Sequence, residues 1–108
     1  MLNGEAHRNI ETIKAAADEV WGRDIEFGEI GVIASPYPEF ELPARLYGTF
    51  NLRLEYDRST LGIMLETAQG YVGLSRLTGE QVFRGLKSCK PENLLHNFRV
   101  LDRVVRDM

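Results

Sequence analysis

The sequence contains one cysteine and lacks long apolar runs. Cys89 has no second cysteine to pair with, which excludes an internal disulfide and a zinc site made of several thiolates. We expect a free thiol in a reducing compartment, with a pKa slightly lowered by the neighbouring Lys87 and Lys90. No apolar run approaches the roughly 18 residues that a membrane-spanning helix needs, and the start of the sequence has no basic region followed by an apolar stretch. These absences predict a cytoplasmic protein without membrane contact.

Familiar catalytic and cofactor-binding motifs are missing as well. The glycine-containing segments at residues 27–31 and 77–85 match neither a phosphate-binding loop nor a dinucleotide fingerprint. There is no serine-centred nucleophile elbow and no paired-histidine metal motif. The two histidines, His7 and His96, lie among unremarkable neighbours on predicted helices. We therefore expect no cofactor, no metal site and no catalytic residue, and an enzyme is the less favoured class.

One group of carboxylates keeps an alternative function open. Glu55 and Asp57 stand at i and i+2, so they share a face of a predicted strand, and Glu66 belongs to the next strand. Carboxylates placed in this way bind a metal or share a proton in some proteins, although wet strand faces carry them routinely. The alternative is a small-ligand-binding or enzymatic domain whose pocket is lined by these three residues.

Length and hydrophobic periodicity predict one domain, residues 1–108, with a helix at each end. The chain has 108 residues, of which 44% are hydrophobic, enough for a single core. The first helix is predicted over residues 4–22, with Asn3 as its N-cap and Gly22 as its terminator. The last begins at Pro91 and ends within two residues of Met108.

Between the helices, alternating patterns predict strands joined by short turns. A strand kinked at its glycines spans residues 23–35, and clearer strands follow at residues 49–57, 61–66 and 71–77. Residues 79–87 fit a short helix or an edge strand, and the prolines of residues 35–48 argue against a central strand there. The fold class is therefore α+β: an antiparallel sheet of about four strands in meander order, packed on the N-terminal and C-terminal amphipathic helices.

Charge is unevenly distributed, although the net charge of −3 is modest. Residues 18–41 contain seven acidic residues and one basic residue, whereas the basic residues exceed the acidic ones after residue 67. On the last helix, Arg99, Arg103 and Arg106 have the spacing of one stripe, but acidic residues interrupt it. Because the chain is acidic overall, we expect no direct binding of nucleic acid.

The segment SPYPEFELPARLYG, residues 35–48, combines prolines, aromatic residues and glutamates. One interpretation packs Phe40 and Leu42 beneath the loop, with the prolines reducing its entropy. In the other, Tyr37 and Phe40 are anchors on a stiff loop and the glutamates steer a basic partner. The predicted partner-binding residues are Glu26, Glu29, Tyr37, Glu39, Phe40, Glu41, Glu55 and Asp57.

The run from Phe50 onward adds a resemblance. It reads FNLRLEYDRSTLGIMLETAQGYVGLSRLTGEQVF and leads to the helix PENLLHNFRVLDRVVRDM. In size and element order this half of the chain resembles the small immunity proteins of bacterial contact-dependent growth inhibition and related polymorphic toxin systems. The resemblance implies a cytoplasmic, non-enzymatic inhibitor that binds one cognate toxin domain, often a nuclease. Those families have diverse folds, so no residue role is carried over.

The leading hypothesis is therefore an immunity-type inhibitor that neutralises a basic toxin domain through an acidic and aromatic surface. A homodimeric structural or interaction protein, associating through an open sheet face, is a further alternative.

Overall fold

The computed structural model of the protein describes residues 4–32, 39–57 and 60–108. Its helices are α1 (Gly4–Trp21), the single turn α2 (Leu74–Leu77) and α3 (Pro91–Arg106). Its strands are β1 (Ile25–Phe27), β2 (Gly31–Val32), β3 (Phe40–Leu46), β4 (Phe50–Asp57), β5 (Thr60–Thr67) and β6 (Gly70–Gly73). No helix in the described part of the chain is long and apolar enough to span a membrane.

All strand pairs are antiparallel, in the spatial order β1-β3-β4-β5-β6, and β2 also pairs with β3. The prediction of an α+β fold with a meander and two terminal helices is confirmed. The sheet has more strands than predicted, for two reasons. The kinked strand is two short strands interrupted at residues 28–30, and the proline-rich segment contributes β3.

Alternating side chains divide the sheet into two faces. The side chains that point toward α1 and α3 are almost fully buried, as the strict alternation of β4 predicts. They include Phe40, Leu42, Leu46, Leu52, Leu54, Tyr56, Ile63 and Leu65. Both predicted helices are confirmed, and Gly22, with φ of 54°, ends α1 in the left-handed conformation. The predicted cap Asn3 lies outside the described residues.

Pro43 overturns the expectation that prolines keep this segment out of the sheet interior. It lies inside β3, which has strands on both sides. The Gly28 N–H donates to the Pro43 carbonyl oxygen at 2.9 Å. In an antiparallel strand the nitrogen and carbonyl of one residue point to the same side, so the Pro43 nitrogen faces the break between β1 and β2. No ladder hydrogen bond is lost because no regular partner strand stands opposite.

Residues 74–90 differ from the predictions. The strand expected over residues 71–77 ends at Gly73, and α2 follows. Residues 79–87 form neither a regular helix nor a strand, apart from a 3-10 turn at Gly85–Lys87. Side chains hold this segment instead. The buried Asn97 amide pairs with both main-chain groups of Phe83, at 2.9 and 3.0 Å, and the Ser88 hydroxyl accepts the Leu61 N–H at 2.8 Å.

Candidate functional site

The side of the sheet opposite α1 and α3, here called the outer face, is polar and acidic. Its charged residues stand at the strand positions that alternate with the buried ones. They are the carboxylates Glu26, Glu41, Glu55, Asp57 and Glu66 and the guanidinium groups Arg45 and Arg53. Acidic groups therefore exceed basic ones on a surface that the described helices leave uncovered.

Glu41 and Glu55 stand directly opposite each other on β3 and β4. Because the Pro43 carbonyl bonds toward β1, the main chain of Glu41, two residues away, also faces away from β4. The two glutamates thus form a non-hydrogen-bonded pair, the kind in which facing side chains come closest, with Cβ atoms about 5 Å apart. Like charges in such a pair destabilise a sheet, so this pair is not explained by stability.

Glycines flank the two glutamates on the neighbouring strands. Gly31 pairs with Glu41 and Gly62 pairs with Glu55, so a row across the sheet reads Gly31, Glu41, Glu55, Gly62, here called the Glu41–Glu55 row. A Cβ placed on Gly62 meets only the Glu55 main-chain oxygen, at 3.7 Å. The absence of flanking side chains leaves both carboxylates accessible from above the sheet.

Arginine side chains neutralise part of the outer face. Arg53 Nε lies 2.6 Å from Glu55 Oε1, and its guanidinium lies 4.4 Å from the Tyr71 ring centroid. Arg45 Nε donates to Asn51 Oδ1 at 3.2 Å, and Asn51 Nδ2 donates to Glu66 Oε1 at 3.2 Å. The Arg53–Glu55 pair is more than one-third exposed, so it leaves Glu55 available to solvent and to a second cation.

The other predicted partner-binding residues occupy different environments. Glu26 and Glu29 are exposed on β1 and in the following loop, Glu39 is half-buried just before β3, and Asp57 is exposed at the end of β4. Tyr37 lies outside the described residues.

Phe40 is not available as a surface anchor, so that prediction is wrong. Its exposed fraction is 0%, and its ring stacks on Tyr56 with centroids 5.3 Å apart. The competing interpretation holds instead, because Phe40 and Leu42 are both core residues. The alternation of β3 places them on the covered face and places Glu41 on the outer face.

The alternative pocket of Glu55, Asp57 and Glu66 is not assembled. Glu66 is on the neighbouring strand, but Gly62 is the residue opposite Glu55, four positions away along β5. At about 3.3 Å per residue this offset is roughly 13 Å. Within residues 4–32, 39–57 and 60–108, no group of three or more histidine, cysteine, aspartate or glutamate side chains is placed to hold a metal.

A small apolar cavity lies at the edge of the sheet, where β6 stops pairing with β5. Its volume is about 210 Å³. We call it the Ile63 socket. Its lining residues include Leu61, Gly62, Ile63, Met64, Gly73, Leu74, Val82, Phe83, Arg84 and Asn97. Gly62 belongs both to this cavity and to the Glu41–Glu55 row, so the two features adjoin.

A second polar arrangement joins α1, α3 and the turn between β3 and β4. We call Trp21, Tyr47, Asp102 and Arg106 the Asp102 cluster. Asp102 Oδ1 accepts hydrogen bonds from Trp21 Nε1, at 3.0 Å, and from the Tyr47 hydroxyl. Arg106 Nε donates to Asp102 Oδ2 at 2.7 Å, and its Nη2 donates to the Tyr47 oxygen at 2.9 Å.

These contacts shift two pKa values in opposite directions. Partial burial opposes ionisation of Asp102 and is the largest single influence, but the hydrogen bonds from Tyr47, Arg106 and Trp21 together outweigh it, so the pKa of Asp102 is lowered. Desolvation and the bond to Asp102 raise the pKa of Tyr47. Tyr47 has φ of 55° and Gly48 has φ of 66°, as in a type I′ turn, so the cluster holds a tyrosine in a conformation that glycine or asparagine usually adopts.

Two of the basic residues of α3 pair with carboxylates of the same chain. Arg103 forms a salt bridge with Glu80 at 2.6 Å, and Arg106 belongs to the Asp102 cluster. Two of the three arginines of the predicted stripe therefore form salt bridges within the chain. Burial raises the pKa of the Cys89 thiol, with a smaller opposing effect of Ser88, so the expectation of a lowered value is wrong.

Sequence reasoning missed the glycines of the Glu41–Glu55 row and the Ile63 socket. The glycines had a usable signal, because pairing Asp57 with Thr60 sets Gly62 opposite Glu55. The socket had none, since it depends on how residues 82–84 return to the sheet.

Comparison of the chain with models of protein families, with curated proteins and with solved structures finds no match.

Proposed function

We propose that this protein is an immunity-type inhibitor that binds and neutralises a cognate toxin domain with a basic surface, such as a nuclease. The outer face is the proposed binding surface, and the Glu41–Glu55 row is the part of it that would contact a cation of the partner. The class of partner comes from the resemblance of residues 50–108 to immunity proteins. The geometry of the sheet supports the choice of the outer face as the binding surface.

The single observation that carries the proposal is the facing pair Glu41 and Glu55. A sheet gains stability from opposite charges at facing positions and loses it from like charges. A cation from a partner, placed between the two carboxylates, would relieve their repulsion and gain charge-assisted hydrogen bonds. A guanidinium is the best fit because its planar array of donors matches carboxylates in two directions.

The same charge pattern argues against a homodimer formed through this face. Two copies meeting face to face would bring two acidic rows together, and like-charge juxtaposition at an interface costs several kcal/mol. A basic partner meets the complementary condition, since opposite potentials accelerate association and select against acidic surfaces.

The test begins with a partner captured by the tagged protein from lysate of its source and identified by mass spectrometry. The captured domain is then expressed in a test bacterium with and without this protein. We expect the domain alone to arrest growth and co-expression of the wild-type protein to restore growth. A captured domain that is harmless would contradict the proposal.

The decisive variant is Glu41→Lys. Because it converts a repulsive cross-strand pair into an attractive one, it should stabilise the fold by about 0.2–1 kcal/mol while weakening partner binding at least about tenfold and slowing association most at low salt. Glu19→Lys is the matched control, since it makes the same charge change on an exposed position of α1. Equal binding by the two variants would remove the Glu41–Glu55 row from the interface.

A further inference from the structure

We infer that the Ile63 socket receives one apolar side chain of the partner, from the same partner segment that places a cation on the Glu41–Glu55 row. This inference rests on the proposed function and specifies the chemistry of the bound segment. The recognised element is an aliphatic or aromatic anchor with an arginine or lysine at a short distance from it.

The size of the socket indicates a side chain as its occupant. Sites for metabolites and other drug-sized ligands usually measure about 300–1,000 Å³, whereas this cavity measures about 210 Å³. Its lining is mainly apolar, from Leu61, Ile63, Leu74 and Val82. Protein interfaces commonly concentrate their binding energy in a few such anchors that fill well-packed pockets.

The position of the socket ties it to the outer face. Gly62, Met64 and Gly73 line it from strand positions that face outward, while Leu61 and Ile63 line it from below. Glu55 lies on β4, one strand away from Gly62 on β5. The socket lies on the other side of β5, about one further strand spacing from Glu55. With strands about 4.8 Å apart, the carboxylates and the socket are roughly 10 Å apart with no side chain on Gly62 between them.

The charges around the socket determine which way the apolar and cationic pair of the partner is oriented. On the β4 side the socket adjoins Glu55, whose carboxylate pairs with Arg53 but is still more than one-third exposed, and Glu41 lies beyond it. On the opposite side the charged lining residue is Arg84, which has no carboxylate among the lining residues. A segment with its cation toward β4 meets carboxylates, whereas the reverse placement brings the cation to Arg84. Complementarity therefore selects one orientation of an apolar and cationic pair.

The inference can be tested without the cognate partner. Isotope-labelled protein is titrated with three capped tripeptides, acetyl-Leu-Gly-Arg-amide, acetyl-Gly-Gly-Arg-amide and acetyl-Leu-Gly-Glu-amide, and amide shifts are followed by NMR. We expect the first to move the amide signals of Ile63, Gly73 and Phe83 together with those of Glu41 and Glu55. It should bind at least about tenfold more tightly than the peptide without leucine, because it buries an aliphatic side chain.

A blocking variant provides the control. Gly62→Val places a good strand former where a Cβ has only ordinary contacts, so we expect the fold to be kept. The valine side chain would then stand between the Glu41–Glu55 row and the Ile63 socket and block a segment that spans both. Gly79→Val makes the same change where a Cβ meets nothing within 4 Å. We expect Gly62→Val to reduce binding of acetyl-Leu-Gly-Arg-amide at least about tenfold and Gly79→Val to leave it unchanged. The amide spectrum of each variant confirms folding in the same experiment.

The results separate this inference from the proposed function. Absence of shifts at Ile63 and Phe83 with the first peptide overturns the socket, whatever happens at Glu41 and Glu55. Equal binding of the glutamate peptide overturns the pairing of anchor with cation. If the cognate domain is neutralised by Gly62→Val as well as by wild type but not by Glu41→Lys, the proposed function stands and the socket is refuted.

Discussion

Replacing Asp102 with asparagine tests whether a single charge holds the two helices and the β3–β4 turn together. Trp21, which is 5% exposed, and Tyr47 both donate to the same carboxylate oxygen. Asparagine keeps that oxygen as an acceptor and nearly the same shape, so the bonds from Trp21 and Tyr47 survive without the charge. The amide NH2 takes the place of Oδ2, so the bond that Arg106 donates there is lost as well. The opposite side of the carboxylate binds Arg106, whose side chain is 65% exposed.

The expected loss of stability follows from these contacts. A hydrogen bond to a charged group contributes about 1.5–3 kcal/mol, against about 0.5–1.5 kcal/mol for a neutral one. Two partly buried bonds to Oδ1 therefore lose about 2 kcal/mol together. The exposed Arg106 pair adds only about 0–1 kcal/mol because solvent screens it. For a domain of this length, a loss of about 2 kcal/mol lowers Tm by roughly 10 °C.

Urea unfolding followed by fluorescence of Trp21 is a suitable assay, because Trp21 is the single tryptophan of the sequence and lies in the cluster. Far-UV circular dichroism supplies an independent signal that does not depend on the indole environment. We expect the midpoint to fall with the m-value unchanged, as for a pure stability effect.

The matched control is Asp107→Asn, at an exposed position one turn further along the same helix end. A surface substitution of this kind changes stability by about 0.5 kcal/mol or less. If both substitutions lower stability equally, the charge of Asp102 contributes nothing specific, and the reasoning from the Asp102 cluster fails.

Two further predictions concern pH and the segment before α3. Because the folded pKa of Asp102 lies below its usual value of 3.8, its stabilising contribution is present above that value and is lost as pH falls through the folded pKa. The stability difference between wild type and Asp102→Asn should therefore be full near pH 7 and shrink below about pH 4 in urea titrations. An undiminished difference at low pH would contradict the ionic origin. Asn97→Ala removes the partner of both main-chain groups of Phe83, which should cost about 2–4 kcal/mol and abolish hydrogen-exchange protection of the Phe83 amide. Retained protection would show that the segment is held by other contacts.

The sequence predicted those helices and strands whose hydrophobic residues recur with a regular period. Alternation in β4 buries Leu52, Leu54 and Tyr56, and the apolar stripe of α3 buries Leu94, Phe98 and Leu101. Rules based on residue type alone failed where the order and pairing of the strands decide whether a residue is tolerated. Pro43 is tolerated in β3 because of where β1 and β2 break, which only strand pairing reveals.

The candidate site was predicted in part, for a similar reason. Glu41 and Glu55 were recognised as acidic residues, but their opposition across two strands depends on the register of β3 against β4. Phe40 was predicted to lie on the surface because of its aromatic side chain. The alternation of side chains along β3, which the sequence did not reveal, buries it instead. The contact between Asn97 and Phe83 carries no local pattern, since the irregular segment between them has no period.

The short strands at the borders of the sheet affect how the protein behaves when it is abundant. β1, β2 and β6 span three, two and four residues, and a break separates the first two. A neighbouring chain that adds as an extra strand needs a long, flat series of main-chain donors and acceptors. Within residues 4–32, 39–57 and 60–108, these borders offer only short interrupted ones. Even at high concentration, these borders therefore offer little support for growth into edge-to-edge polymers.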